Sequence, residues 1–200
     1  IRWAGLRPQD LVGKKVFIQG GAGGVGCFSI QLLKSMGSEI ATTCSEKNME
    51  LVKSLGADHV VNYNTSDFEE ILNDYDIAYD LLGDHVSDHA VEKCCSILKK
   101  TSDSHYITLT HPLVSTMDAK GILLGAPHAL YLRQMQKRKF RPINIHWSIY
   151  RPSLSGLEQL TELVQDGTIK PIIDSVFKIE DIGQAHRKAA TGHVSGKVII

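Results

Sequence analysis

The stretch that decides the fold is Lys15-Val16-Phe17-Ile18-Gln19-Gly20-Gly21-Ala22-Gly23-Gly24-Val25-Gly26. Its first five residues form a short apolar run, which is typical of a buried parallel strand. The glycines at positions 21, 23 and 26 satisfy the pattern G-x-G-x-x-G, and the residues after them carry apolar side chains at helical spacing up to Gly37. Because the glycines stand between a strand and a helix, the pattern predicts a phosphate-binding turn.

Each glycine of this turn has a separate predicted role. Gly21 allows the tight turn, Gly23 lets the backbone approach a dinucleotide's pyrophosphate because it has no Cβ, and Gly26 lets the helix pack closely on the sheet. The helix offers free N–H groups and the positive end of its dipole to the phosphates. A P-loop is excluded because Lys and Ser or Thr do not follow Gly26. A glycine-rich turn without a ligand is the alternative.

Strand and helix signals alternate up to about residue 150, which predicts an α/β fold of the Rossmann type: a doubly wound parallel sheet with helices on both faces. The predicted strands are Lys15–Gln19, Glu39–Cys44, Val60–Tyr63, Ile77–Leu82, Tyr106–Thr110 and Ile143–Ile149. Ser45 and a capping box of Ser66 and Glu69 are predicted to begin the helices after the second and third strands. Between residues 111 and 142 the pattern predicts one helix, from about Pro127 to Lys139.

A change of rhythm near Pro152 divides the chain into two predicted parts. Residues 1–152 are the predicted dinucleotide-binding domain, and residues 153–200 are a separate C-terminal segment. That segment carries a helix that begins near Ser153 and ends at Gly167, an extended stretch at 172–179, a helix at 180–190 and a strand from Lys197.

Composition excludes several classes of protein. Lys plus Arg and Asp plus Glu both number 22, and this neutral balance argues against a chain built mainly to bind nucleic acid or an anionic membrane. The four Cys form no C-x-x-C pair, which argues against a zinc ribbon or a disulfide scaffold and suits a reducing compartment. No apolar run is long enough to cross a bilayer. Since the chain begins at Ile1 without Met, we expect it to be a piece of a longer protein.

The end of the second strand indicates which nucleotide binds. An NAD site places Asp or Glu there to bind the ribose 2′-OH, about twenty residues after the glycines. Here the strand ends in Cys44 and Ser45, and Lys47 adds a cation that suits a 2′-phosphate. Tyr63, after the third strand, is a further candidate, with an ordinary sheet-edge aromatic as the alternative. These residues favour NADPH, whereas Glu46 is the counter-argument because its carboxylate could bind a ribose.

The remaining candidates point to no chemistry of their own. His85 and His89 are four residues apart but lack the further ligands of a zinc site, so no metal site is predicted. The basic run at 137–141 is interpreted as a helix end facing water, with nucleic acid or acidic lipid as the alternative. His111, after the fifth strand, could donate a proton to a reduced carbonyl, but an ordinary loop histidine is the commoner case. The catalytic residues therefore stay unassigned.

Several segments resemble the medium-chain dehydrogenase/reductase superfamily. The segments that carry this resemblance are Ile18–Gly26, Leu55–Tyr63 and Asp80–Gly83. Those similar to its quinone oxidoreductase branch are Asp166–Pro171, Ala185–His186 and Gly196–Ile199, and Thr108–Pro112 with Trp147 resemble the mitochondrial reticulon-4-interacting oxidoreductase group.

The resemblance implies an architecture and an activity. In this family a Rossmann domain is inserted into a GroES-like catalytic domain, so residues from 153 onward would belong to an incomplete GroES-like domain. The implied activity is NADPH-dependent reduction of a small molecule, a quinone or an enone, with a mitochondrial location and a possible homodimer formed through the sixth strand. The chain alone is expected to be nearly inactive, because half of the substrate cleft would be missing.

The resemblance also assigns cofactor-binding positions. The pyrophosphate turn would comprise Gly21, Ala22, Gly23, Gly24 and Val25, and the 2′-phosphate side Ser45, Lys47 and Tyr63. Near the nicotinamide ribose it assigns Leu82, Gly83 and Leu109, and over the nicotinamide end Ser148, Tyr150, His193, Val194 and Ser195.

Two functions fit these expectations. The first is an NADPH-dependent oxidoreductase that transfers a hydride to a quinone or an enone. The second is an NADPH-binding interaction module in which the ordering caused by the cofactor signals to a partner and little turnover occurs. The fold does not decide between them.

Overall fold

A computed structural model describes residues 5–83, 89–149 and 151–200 and contains a six-stranded parallel sheet. The strand order is β3-β2-β1-β4-β5-β6. From β1 to β3 the strands are added toward one edge of the sheet; the chain then crosses back to place β4 beside β1, and β5 and β6 are added toward the other edge. The strands are β1 (Lys15–Gln19), β2 (Glu39–Cys44), β3 (His59–Asn62), β4 (Ile77–Asp80), β5 (His105–Thr108) and β6 (Asn144–Trp147). This order is that of a doubly wound dinucleotide-binding sheet, and it confirms the predicted fold class.

Five helices cover the two faces of the sheet. They are α1 (Gly26–Ser35), α2 (Met49–Ser54), α3 (Phe68–Ile71), α4 (Ala90–Ser96) and α5 (Leu113–Lys139). Successive side chains of β1 enter different cores: Val16 and Ile18 pack with Ile30 of α1, whereas Phe17 stacks on Phe68 of α3, with ring centroids 4.5 Å apart. Because both faces of β1 are buried, its sequence is continuously apolar.

The C-terminal segment contains a second, smaller sheet. It contains α6 (Leu154–Gln165), β7 (Ile173–Val176), α7 (Ile182–Ala190) and β8 (Lys197–Ile199), and β7 and β8 pair as a parallel two-stranded sheet. The helix begins where predicted, and Ser153 caps it, since its side chain accepts a hydrogen bond from the Gly156 N–H. The buried apolar side chains of this segment are Ile169 and Ala185.

The helix before β6, α5, is longer than the helix predicted from about Pro127 to Lys139. It begins at Leu113, fourteen positions before Pro127, and it is broken at Gly121, where φ is +71° and ψ is 163°. Glycine and proline normally end helices, which is why the pattern predicted only the later part. In the structure, Gly121 turns the chain, and Gly125 lies so close to Met117 that an added Cβ would be 2.6 Å from its Cα.

One predicted helix start is met in part and one capping box is wrong. Ser45 is the N-cap residue of the 3-10 turn Glu46–Asn48 before α2, but its side chain makes no capping hydrogen bond. The box of Ser66 and Glu69 does not form, because α3 has Asp67 as its N-cap residue and the Glu69 carboxylate pairs with Lys93 at 2.6 Å. The ion pair between α3 and α4 therefore replaces the expected local hydrogen bonds. No helix in the described part of the chain is both long and apolar enough to cross a membrane.

Candidate functional site

A cavity of about 550 Å³ opens at the C-terminal ends of β1 to β4. This is the edge at which open parallel sheets bind their ligands. Its lining comes from the turn after β1, the end of β2, the start of α3 and the loop before β8. The residues are Gln19, Gly20, Ala22, Gly23, Thr43, Cys44, Ser45, Lys47, Asn48, Tyr63, Ser66, Asp67, Phe68, Leu82, Lys93, Thr191, Gly192, His193 and Val194.

The glycine turn is fixed by contacts with β2. Gly20 has a φ of +86°, and its N–H donates to Thr43 Oγ1 at 3.1 Å. A Cβ added to Gly21 would be 2.0 Å from Thr42 Oγ1, so Gly21 is required by packing against β2. This corrects the predicted role of Gly21, because the left-handed backbone that makes the turn belongs to Gly20.

Gly26 and Gly23 differ in what surrounds them. A Cβ on Gly26 would be 2.4 Å from the Gly20 carbonyl oxygen, which confirms the predicted close packing of helix and turn. A Cβ on Gly23 would meet nothing nearer than that oxygen at 3.5 Å, an ordinary contact. The protein's own packing therefore does not require a glycine at position 23, and the space beside it belongs to the cavity.

The start of α1 carries an unused hydrogen-bond donor beside this space. The Cys27 N–H donates to the Gly23 carbonyl at 2.9 Å, and Gly24 adjoins the parallel bridge between Gly23 and Gly196, whereas the Val25 N–H meets no acceptor within the described residues. Such N–H groups, with the helix dipole, favour an anion. A diphosphate fits this turn, since the cradle at Gly23 and the free N–H of Val25 at the helix start lie together.

The 2′-phosphate candidates converge on the same cavity. Ser45, Lys47 and Tyr63 all line it, whereas Glu46, the residue that argued for NADH, does not. The Lys47 ammonium donates to the His193 carbonyl at 3.1 Å, which holds the cation at the mouth of the cavity. One lining carboxylate, that of Asp67, lies 3.6 Å from the Lys93 ammonium.

The loop before β8 closes the cavity from the β2 side. The Gly196 N–H donates to the Ala22 carbonyl at 2.9 Å, and the Ser195 hydroxyl donates to Asn48 Oδ1 at 2.8 Å. His193 and Val194 line the cavity beside Lys47. The resemblance assigned these residues to the nicotinamide end, whereas the structure places them against the end of β2.

Asp80 organises the turn after β4. Its buried carboxylate accepts the N–H groups of Leu82 and Gly83 at 2.9 and 2.8 Å and the Tyr106 hydroxyl at 2.7 Å. Burial, followed by the charge of Asp80, raises the pKa of Tyr106 far above its ordinary value, so this hydroxyl stays a donor. The contacts position Leu82 in the cavity wall. The sequence offers no signal for this role, because it depends on Tyr106 of the neighbouring strand.

The other predicted positions do not line the cavity. Gly21, Gly24, Val25, Gly83, Leu109, Ser148 and Ser195 lie outside its wall. Leu109 and Ser148 continue the ladder at the ends of β5 and β6 through the Leu109 N–H to the Asp80 carbonyl and the Ser148 N–H to the Thr108 carbonyl. Tyr150 and His85 lie outside the described residues. Patterns that found the turn and the end of β2 missed Asn48, Thr191 and Gly192, which become neighbours only when β8 folds back.

His111 follows β5 and packs against β6, outside the wall of the cavity. Its ring stacks on Trp147 with centroids 5.1 Å apart, and Nε2 lies 3.2 Å from the Ser148 carbonyl. Burial lowers the pKa of His111, so the neutral ring donates this hydrogen bond from Nε2. A structural role accounts for these contacts, and we assign no catalytic role to His111.

Two buried thiols are poor nucleophiles, and the described histidines and cysteines form no metal centre. Burial raises the pKa of Cys27 to about 11 and that of Cys95 to about 12, so both stay protonated. Among the residues that the structure describes, no group of three or more His, Cys, Asp or Glu side chains is arranged to hold a metal ion.

Comparison with known proteins identifies the family. The profile described as zinc-binding dehydrogenase matches residues 55–200, well over half of the chain. The chain belongs to this family, within the medium-chain dehydrogenase/reductase superfamily. The resemblance seen in the sequence is therefore confirmed. Although the family is described as zinc-binding, the described part of this chain contains no cluster of His, Cys, Asp or Glu side chains that could hold a zinc ion.

Relatives and solved structures agree with this assignment. The chain is 30% identical over its full length to "NAD(P)H oxidoreductase RTN4IP1, mitochondrial" of Danio rerio, and covers 52% of that protein. It is 31% identical to the "Trans-enoyl reductase pgmF" of Aspergillus terreus, with 97% of this chain and 53% of that one covered. The quinone oxidoreductase of Coxiella burnetii superposes with a TM-score of 0.75 at 27% identity, over 94% of this chain and 52% of that one. The chain thus spans about half the length of its curated relatives.

Proposed function

We propose that the chain is the cofactor-binding part of an NADPH-dependent oxidoreductase that transfers a hydride to a quinone or an enone. The observation that carries the proposal is the cavity beside Gly23, where a diphosphate cradle and a cation, Lys47, lie at the C-terminal edge of the sheet. The names of the relatives support a nicotinamide cofactor and a reductase activity. When bound, this cofactor would supply the hydride.

Residues of this chain would divide the binding of the cofactor between them. The cradle at Gly23 and the N–H of Val25 would hold the diphosphate, and Ser45, Lys47 and Tyr63 would hold the 2′-phosphate. Leu82, kept in place by Asp80, would wall the path toward the nicotinamide. A cation and a hydroxyl at the end of β2 support NADPH over NADH, since both bind a phosphate and neither requires a free ribose hydroxyl.

The larger organisation belongs to the same proposal. Residues 1–152 would form the dinucleotide-binding domain, and residues 153–200 would belong to a GroES-like domain completed by further chain. The outer edge of β6 has no strand partner within the described residues, which supports a homodimer through that edge. Similarity to proteins named as mitochondrial supports a mitochondrial location. Its ligands would be small molecules, not nucleic acid.

Replacement of Lys47 by Gln tests the choice of cofactor. The variant loses a charge-assisted contact with the 2′-phosphate, so we expect the Kd for NADPH to rise about tenfold and the Kd for NADH to change less than about threefold. Isothermal titration calorimetry measures both constants. Lys53→Gln is the matched control, because Lys53 lies outside the cavity and pairs with Glu50 on the surface of α2. An equal loss for both cofactors would contradict the proposed 2′-phosphate contact.

Turnover decides between the two functions that the sequence left open. NADPH oxidation by the full-length protein is followed with a soluble quinone and with an enone. The proposal expects oxidation with at least one of them. Tight NADPH binding without oxidation of NADPH across both classes would instead support the interaction module.

A further inference from the structure

The outer surface of α5 combines exposed apolar side chains with cations. After the break at Gly121 the helix continues to Lys139, with Gly125 and Ala129 buried against the rest of the protein. Its exposed large apolar residues are Ile122, Leu123, Leu124, Leu130, Tyr131 and Met135, and Leu123 is 89% exposed. Its last turn carries Lys137, Arg138 and Lys139, and Arg141 follows the end of the helix. We call these ten residues the α5 outer face.

Most of the apolar and basic groups lie on the outer side of the helix, whereas Ile122 and Lys139 lie nearer its buried side. Leu124, Tyr131 and Arg138 are seven residues apart, so they point in nearly the same direction, away from Gly125 and Ala129. The helix after Gly121 is about 27 Å long, with the exposed leucines near one end and the cations at the other. An exposed apolar stretch continuous with a basic one marks an interaction surface.

The positive charge of this region is not balanced locally. Residues 119–157 contain seven Lys or Arg and no Asp or Glu, although the whole chain is neutral. Lys139 pairs with Glu92 at 2.6 Å, but Lys137, Arg138 and Arg141 have no carboxylate partner within the described residues. The neutral total that argued against an anionic partner therefore hides a segregated basic region.

We propose that the α5 outer face docks on the surface of an anionic phospholipid bilayer. Helices that lie in a membrane interface insert apolar side chains among the acyl chains and place cations on the headgroups, and this surface offers both. A second copy of the same face would bring like charges together. A nucleic acid would bind the cations but would leave Leu123 and Leu124 without an apolar partner.

Vesicle flotation at low salt tests the proposal. The chain should bind vesicles that contain about one third phosphatidylglycerol and should not bind pure phosphatidylcholine vesicles, and added salt should release it. The variant Lys137→Gln/Arg138→Gln/Arg141→Gln should lower the partition coefficient about 100-fold. The variant Leu123→Ser/Leu124→Ser should lower it about tenfold without changing its salt dependence.

A matched triple variant controls for net charge. Lys170→Gln/Lys178→Gln/Arg187→Gln removes the same charge from exposed positions of the C-terminal segment and should leave partition within about twofold of the unmodified chain. Thermal unfolding verifies that all variants are folded. Absence of binding to the anionic vesicles, equal binding to both vesicle types, or an equal loss in the control variant would overturn the proposal. So would a concentration-dependent dimer lost in the Leu variant without vesicle binding, which would mark an interface between copies.

Discussion

The six-stranded sheet and the C-terminal segment differ in how far their apolar residues are buried. Ile18 and Ile40 of the sheet are fully buried between helices, whereas Leu157 of α6 and Ile173 of β7 are more than half exposed. The strands of the sheet are largely apolar, and the helices of both regions have apolar residues at helical spacing. The difference teaches that such a pattern predicts an element and its inner face, but not whether the partner for that face is in the same chain.

Polar contacts attach the C-terminal segment to the sheet. The Gln31 side chain of α1 donates to the Lys170 carbonyl at 3.1 Å and accepts from the Lys170 N–H at 2.8 Å. The loop before β8 is held by the backbone bond from Gly196 to Ala22. A two-stranded sheet is only marginally stable by itself, so this segment should open without unfolding of the larger sheet.

The largest expected effect contrasts one residue type in the two regions. Ile40→Ala should lower the free energy of unfolding by about 3 kcal/mol, because it leaves a cavity in a fully buried layer. Ile173→Ala, at a position 53% exposed, should cost less than about 1 kcal/mol. Urea denaturation followed by circular dichroism measures both. Equal costs would mean that the two regions are packed alike.

Loss of the attachment should affect only the smaller region. Gln31→Ala leaves the Lys170 N–H and carbonyl without partners, so amide exchange in residues 169–200 should become about tenfold faster. Exchange in β1 and β4 should stay unchanged. Gln159→Ala, which removes an exposed glutamine of α6, provides the control. Faster exchange throughout the sheet would show that the two regions unfold together.

The smallest expected effect is a pH dependence that belongs to the sheet. Burial acts to raise the pKa of Asp76, but hydrogen bonds from Lys99 and the Lys15 N–H, with the charges of Lys14 and Lys99, outweigh it and lower that pKa. A lowered folded-state pKa stabilises the protein above about pH 4, and this stabilisation is lost as the pH falls through the folded-state value.

Asp76→Asn should therefore cost about 1 kcal/mol at pH 7, a modest value because both lysines are partly exposed and screened by water. The difference from the unmodified chain should shrink below about pH 4. Urea denaturation at a series of pH values measures it. Asp74→Asn, at an exposed neighbouring position, is the control. A difference that does not vary with pH would rule out the ion pairs as its source.

The sequence pattern predicted the parts of the fold that depend on neighbours along the chain. All six strands of the sheet, the helix after the glycine turn and the start of α6 near Ser153 follow from local periodicity and local hydrogen bonding. The early start of α5 did not follow, because Gly121 and Pro127 carry breaker signals. Glu69 was misjudged because its partner, Lys93, comes from another helix.

The candidate site likewise contains residues that the sequence could predict and residues that it could not. Gly23, Ser45 and Lys47 were predicted because strand ends and their turns are visible in sequence. Residues brought in from afar were not: Asn48 meets Ser195 across 147 positions, and Asp80 meets Tyr106 across a strand pair. The correction at Gly21 has the same cause, since the contact with Thr42 belongs to the neighbouring strand.

The central claim, that the space beside Gly23 holds the diphosphate of a dinucleotide, is tested most directly by Gly23→Ala. Calorimetric titration with NADPH should show a Kd raised about 100-fold, while the unfolding midpoint stays close to that of the unmodified chain, because the added Cβ meets only an ordinary contact at 3.5 Å. Gly21→Ala, which clashes with Thr42, should instead lower the unfolding midpoint. Unchanged NADPH affinity in a folded Gly23→Ala variant would contradict the account.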